Sequence, residues 1–151
     1  MTAELTTEEQ SNIRVAYVLK IMKEHFGEEV YQVLMEANRK RLCAIWRKKA
    51  EEAGDNSIET LLKTWEPLRV QGWEYAMDET ETGFQMNCIK CPTYDFAKHH
   101  GITEQMFYMV CENDLFVAEG FNTNIGFRRT KTLMQGHDCC NHFYYYKDKN
   151  N

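Results

Sequence analysis

Between Gln135 and Lys147 the chain places two adjacent cysteines, two histidines and an aspartate ahead of a run of aromatic residues. If this stretch is a strand, side chains alternate between its faces. Cys140, His142 and Tyr144 then face one way, and Cys139, Asn141, Phe143 and Tyr145 the other. A cysteine and a histidine side by side can act as nucleophile and base, or as two metal ligands. His137 and Asp138 fall in the preceding turn, where a polar pair is ordinary. Tyr144 to Tyr146 suit a half-buried strand without any chemical role.

A second reactive group sits in MFYMVCENDLFVAEG. Phe107, Val110, Cys111, Asp114 and Ala118 recur at spacings of three and four, so a helix puts them on one face. That face is apolar except for Asp114. A carboxylate aimed into a core is costly unless paired, and such a site can tune its pKa. Cys91 precedes Pro92 at a predicted helix start, where the helix dipole and free N–H groups favour thiolate, so its pKa is expected to fall. Cys88 and Cys91 form a lone C-x-x-C without the second pair of a zinc ribbon. Arg128 and Arg129 lie in the strand before Gly136, and an inward Arg would suit a substrate carboxylate. Alternation lets only one of them face inward.

These residues need elements to position them. Thr6 and Glu9 offer a capping box to a first helix carrying Val15, Val18, Leu19, Met22 and Phe26, with Gly27 after it. A second helix keeps the period through Val30, Val33, Leu34, Ala37, Ala44 and Ile45 to Gly54. Ser57 caps a short third helix with Ile58, Leu61, Leu62 and Trp65, and Pro67 stops it. The pattern then turns to period two. Trp73, Tyr75 and Met77 alternate, then Phe84, Met86 and Cys88, as a hairpin around Glu79–Gly83. Helices come next, from Cys91 to Gly101 and from Thr103 to about Ala118, with Gly120 as stop. Two strands, Ile125 to Leu133 and Asp138 to Tyr146, close the chain with Gly136 in their turn. The order indicates an α+β fold: N-terminal helices, then two β-hairpins forming an antiparallel sheet with two helices between them.

At 151 residues the chain is expected to be one domain (1–151), with a helical half (1–68) and a sheet half carrying the site (69–147). A net charge of −5 argues against nucleic acid as the main partner. The basic stretches at Arg39–Arg41 and Arg47–Lys49 read as a solvated helix face. No apolar run is long enough to span a membrane, and the N-terminus lacks a secretory signal. A cytoplasmic location is expected, with the six cysteines as thiols. An exposed apolar helix face could pair two copies into a homo-oligomer.

The C-terminal half carries a resemblance. Cys91-Pro92 after a strand is followed by Cys111-x-x-Asp114 with Gly120 closing the helix. Then come Arg129-Thr130-x-Thr132-Leu133 and Gly136-x-x-x-Cys140. In this order and spacing, over roughly residues 84 to 146, the chain resembles the L-2-amino-thiazoline-4-carboxylic acid hydrolase family. In outline it is also similar to the small-molecule-binding domains of the 4-vinyl-reductase type and their relatives in vesicle-trafficking complexes, a fold-level analogy. Cys88 and Cys139 are extra to the pattern, and His142 stands where an aromatic residue is as readily expected.

The resemblance implies a hydrolase that opens a cyclic amidine-like ring with water to give an N-carbamoyl cysteine. Two mechanisms fit. In one, Cys111 or Cys140 attacks the ring carbon, Asp114 binds the amidine nitrogens, His142 moves protons, and Arg129 or Arg128, with Thr130, holds the substrate. In the other, Cys91, Cys111 and Cys140 bind zinc or another thiophilic metal that activates water. The competing function is a non-enzymatic domain that binds a small molecule or senses metal or redox state through the same thiols.

Overall fold

The computed structural model describes residues 4–147. Helix α1 (Thr7–Phe26) starts on the expected capping box, in which the Thr6 hydroxyl and the Glu9 carboxylate each accept the other residue's N–H. Helix α2 (Glu29–Ala53) ends on a left-handed Gly54. The Ser57 hydroxyl caps α3 (Ile58–Lys63). Pro67 does not stop that helix; it lies in the first turn of a further short helix, α4 (Glu66–Val70), where a missing N–H costs nothing. The apolar stripe read on α1 is largely outside the core. Ala16 and Leu19 are buried, whereas Val15, Val18, Met22 and Phe26 are exposed.

Strands β1 (Glu74–Thr80) and β2 (Gly83–Lys90) form the expected hairpin. Helix α5 (Pro92–His99) comes next, with Cys91 as its N-cap. The helix after it is interrupted. A turn of α6 (Thr103–Met106) runs into a π-helical segment, Phe107–Cys111, before α7 (Asn113–Phe121). A π turn adds a residue to the helix and rotates the turns beyond it. Val110 therefore points outward, although uninterrupted spacing places it beside Cys111 and Asp114. Gly120 is not a stop; it lies inside α7, against α2.

The expected closing hairpin is an antiparallel pair with a long connection. Strand β3 (Ile125–Arg128) ends five residues earlier than expected, and β4 spans Cys140–Tyr146. Between them, Thr132 caps a 3-10 turn (Leu133–Gln135), closed by Gly136 at φ +88°. The Thr132 N–H is taken by His137 Nδ1, and its carbonyl accepts the His137 N–H, so neither remains for a ladder.

The sheet order is β1-β2-β4-β3, antiparallel throughout. Register sets Met86 opposite His142 and Cys88 opposite Cys140. The inner face buries Tyr75, Met86, Cys88, His142 and Tyr144. Helical residues Ala50, Ile58, Leu61, Leu62, Ala118 and Phe121 pack with Ile125 and Tyr144 in one cluster. On the outer face Phe143 stacks on Tyr145, with the Arg128 guanidinium over both rings.

Candidate active site

Three elements converge on Asp114. The π-helical segment delivers Cys111, the first turn of α7 carries Asp114, and the chain leaving β3 brings Arg129 inward. Arg129 Nη1 donates to Asp114 Oδ2 at 2.9 Å and to the Cys111 carbonyl at 2.7 Å. Its Nη2 donates to Glu112 Oε1 at 2.7 Å. The Arg129 side chain is only 6% exposed and lies over the Phe107 and Phe127 rings. Of the two candidate arginines, Arg129 faces inward and Arg128 outward. Arg129 is thus committed to protein carboxylates and does not present a free fork to a substrate.

One guanidinium serves two carboxylates. Burial pushes the Asp114 carboxyl up to about 7, while Arg129 pulls it down and Glu112 raises it. Asp114 lies deep among protein atoms, with its side chain 19% exposed. His142 Nε2 stands 3.5 Å from Asp114 Oδ2. The ring sits between Trp65 and Phe127, and its buried Nδ1 has no hydrogen-bond partner. Burial, with Arg129 nearby, lowers His142 to about 3. It is therefore neutral at physiological pH, and the group poised to exchange a proton near neutrality is Asp114.

Cys88, Cys111 and Cys140 lie near enough to Asp114 to feel its charge. Cys140 Sγ accepts the Leu133 N–H at 3.3 Å, a contact that favours thiolate, but burial keeps its pKa raised. At Cys91 the expected lowering is reversed. The Thr93 and Tyr94 N–H groups and the Trp73 indole favour thiolate, and burial outweighs them. Cys111 is driven up by burial and then by Asp114. Burial and the neighbouring Cys91 raise Cys88 to about 12, and its thiol donates to the Lys90 carbonyl. Cys91, Cys111 and Cys140 lie close enough to raise one another electrostatically. Among the described residues, however, no three His, Cys, Asp or Glu side chains converge to hold a metal ion.

The remaining expected site residues lie elsewhere. Thr130 is exposed, its N–H and hydroxyl both bound to the Asn141 amide. Arg128, Arg129 and Thr130 border an outer cleft of about 350 Å³ together with Gln85, Asn141 and Phe143. The sheet separates Arg128 from Cys140 and His142. Sequence reading missed Glu112 and the Leu133 N–H. Glu112 had a signal, a second acid two residues before Asp114 and next to Cys111. The backbone donor had none.

No helix of the described residues is long and apolar enough to cross a membrane. Comparison with curated proteins finds no match. The family model described as L-2-amino-thiazoline-4-carboxylic acid hydrolase matches residues 7–144, from the first helix to the buried Tyr144 of the last strand. The match takes in every residue of the Asp114 cluster, and the chain belongs to the L-2-amino-thiazoline-4-carboxylic acid hydrolase family.

Proposed function

We propose that the protein hydrolyses L-2-amino-thiazoline-4-carboxylate, or a close cyclic analogue, to an N-carbamoyl cysteine. The observation that carries this reading is Asp114, a buried carboxyl bound by Arg129 and facing His142, which burial pushes up to about 7. As carboxylate it accepts hydrogen bonds from the amidine nitrogens and takes up a proton when the attacking group forms.

Cys140 is assigned the attack because it shares the inner face of β4 with His142, and the Leu133 N–H points at its sulfur. Its proton passes to Asp114 as Sγ bonds to the amidine carbon. The bond from that carbon to the ring sulfur then breaks, and the ring sulfur takes the proton and becomes a free thiol. Water adds to the same carbon, Cys140 leaves with a proton, and N-carbamoyl cysteine is released. The net change is addition of one water. His142, neutral beside Asp114, orients the carboxylate rather than carrying the proton. No step passes through a metal.

The test is incubation with L-2-amino-thiazoline-4-carboxylate, following release of a new thiol and a mass increase of one water. Turnover lost in Asp114→Asn supports the reading. Substrate recovered unchanged by the wild-type protein, with and without added zinc, overturns it and favours a binding domain. Full turnover in Cys140→Ser would replace the thiol attack by direct attack of water.

A further inference from the structure

A carboxylate locked one-to-one onto a buried guanidinium is a weak base, because the cation stabilises its charged form and lowers its pKa by about 1–3 units. Asp114 has such a cation at 2.9 Å, yet it holds its proton up to about 7. Burial is the main cause, and the charges around the carboxyl decide whether burial prevails.

Most groups packed near Asp114 carry no charge at neutral pH. Burial keeps the proton on Cys88 from β2, on Cys91 at the start of α5, on Cys111 from the π-helical segment, and on Cys140 and Tyr144 from β4. It also keeps His142 neutral. Among the described residues, Arg129 and Glu112 are the two charges left acting on Asp114. They are joined through one fork. Arg129 Nη1 bonds Asp114 Oδ2, and Nη2 bonds Glu112 Oε1 at 2.7 Å, so each acid receives one arm. The Glu112 carboxylate thereby cancels the guanidinium charge. Ionisation of Asp114 then adds an uncompensated charge to a site in which Arg129 is only 6% exposed. Without Glu112, Asp114 would keep the cation to itself.

Resting on the hydrolase reading, we propose that Glu112 is a positioning residue: it holds one arm of the Arg129 fork and balances its charge, which leaves Asp114 able to take up and release a proton during the reaction. Glu112 exchanges no proton itself and acts through Arg129.

The experiment is a carbon-13 NMR titration of the side-chain carboxyls in the full chain, with the Asp114 signal assigned by its loss in Asp114→Asn. Glu112→Gln keeps the shape of the side chain and an oxygen for Nη2 but removes the charge. It should lower the Asp114 midpoint by about one unit or more. Glu112→Ala should lower it at least as far, because it also frees the second arm. In turnover of L-2-amino-thiazoline-4-carboxylate, the rise of kcat with pH should move down by the same amount in both variants. The plateau above it should fall, because the carboxylate has become a weaker base. A residue that merely holds the fold would lower activity at every pH and leave the Asp114 midpoint in place. That result, or an Asp114 midpoint that moves while the pH dependence of kcat does not, would overturn the inference. Glu112 is a quarter exposed, so its replacement opens no cavity in the core. The NMR titration needs no substrate and is judged apart from the hydrolase reading. A wild-type protein without turnover whose Asp114 midpoint still falls in Glu112→Gln would reject the reaction and retain the hold of Glu112 on the carboxyl.

Discussion

Asp114 couples the acidity of the site to the stability of the molecule. Its carboxyl is raised from an ordinary 3.8 to about 7, mainly by burial. Between those values the folded state holds a proton that the unfolded chain releases. Stability therefore falls as pH rises from about 4 to 7, by up to about 4 kcal/mol, and is unaffected below that window. Asp114→Asn removes the ionisation. Urea unfolding at pH 5 and pH 8 should show the variant gaining on the wild type at the higher pH. A constant difference would mean that Asp114 is ionised throughout. Turnover should rise with pH through about 7, because the carboxylate is the form that accepts a proton. Arg129 holds the opposite position. Arg129→Met leaves Glu112 and Asp114 without their donor, and a loss of about 3–5 kcal/mol is expected in denaturant titration. Arg129→Lys should recover part of that loss, since one ammonium cannot reproduce the fork that reaches both acids. Asp114 was legible in the sequence as the one polar residue on an apolar helical face. Its partner's allegiance was not, because Glu112 and Asp114 lie 17 and 15 residues before Arg129 and meet it only when β3 and α7 pack.

The elements depend on close approaches that composition alone does not reveal. At Gly120 a Cβ would stand 2.6 Å from Cys43 Cα and 2.9 Å from its carbonyl oxygen. The obstacle is the backbone of α2, which cannot rotate away. Gly120→Ala should therefore push α7 from α2, destabilise by about 1–3 kcal/mol, and lower the denaturant midpoint. Gly126 offers the comparison. Its Cβ would meet the Tyr145 ring, a side chain rather than backbone, so Gly126→Ala should cost less. A glycine near a helix end reads naturally as a terminator, and nothing in the local sequence distinguishes that role from a helix crossing. The same limit applies to the strand read through Leu133. Arg129, Lys131 and Leu133 alternate with polar residues, yet Thr132 and His137 satisfy each other and fold the segment into a 3-10 turn. That turn is what brings the Leu133 N–H to Cys140. The capping box at Thr6, the hairpin at residues 74–90 and the inward set Cys140–His142–Tyr144 were legible because each arises from a local period or pairing. The π-helical segment was not, since the inserted residue carries no signature in the residue types around it.

At the scale of the molecule the two halves share their burial. Ile58 and Leu61, from a short helix in the first half, are fully buried with Ile125 and Tyr144 from the sheet. Tyr146 adds a polar tie, its hydroxyl accepting the Ile58 N–H at 3.0 Å. A six-residue helix such as α3 has no stability of its own in water. It stands because the sheet covers it, and the sheet's inner face in turn needs that cover. Ile58→Ala should therefore cost about 2–5 kcal/mol, and the loss should not remain in the helical half. Far-ultraviolet circular dichroism reports mainly the helices. Near-ultraviolet dichroism reports the aromatic packing of the sheet, including Tyr144 between Phe84 and Phe127. Both signals should move to the same lower denaturant midpoint in the variant, since a shared core unfolds as a unit. Two separate midpoints would show that the halves fold independently. The Asp114 cluster would then rest on the sheet half alone. With a common midpoint, the Asp114 cluster is held by contacts from both halves, and its raised pKa is a property of the whole fold.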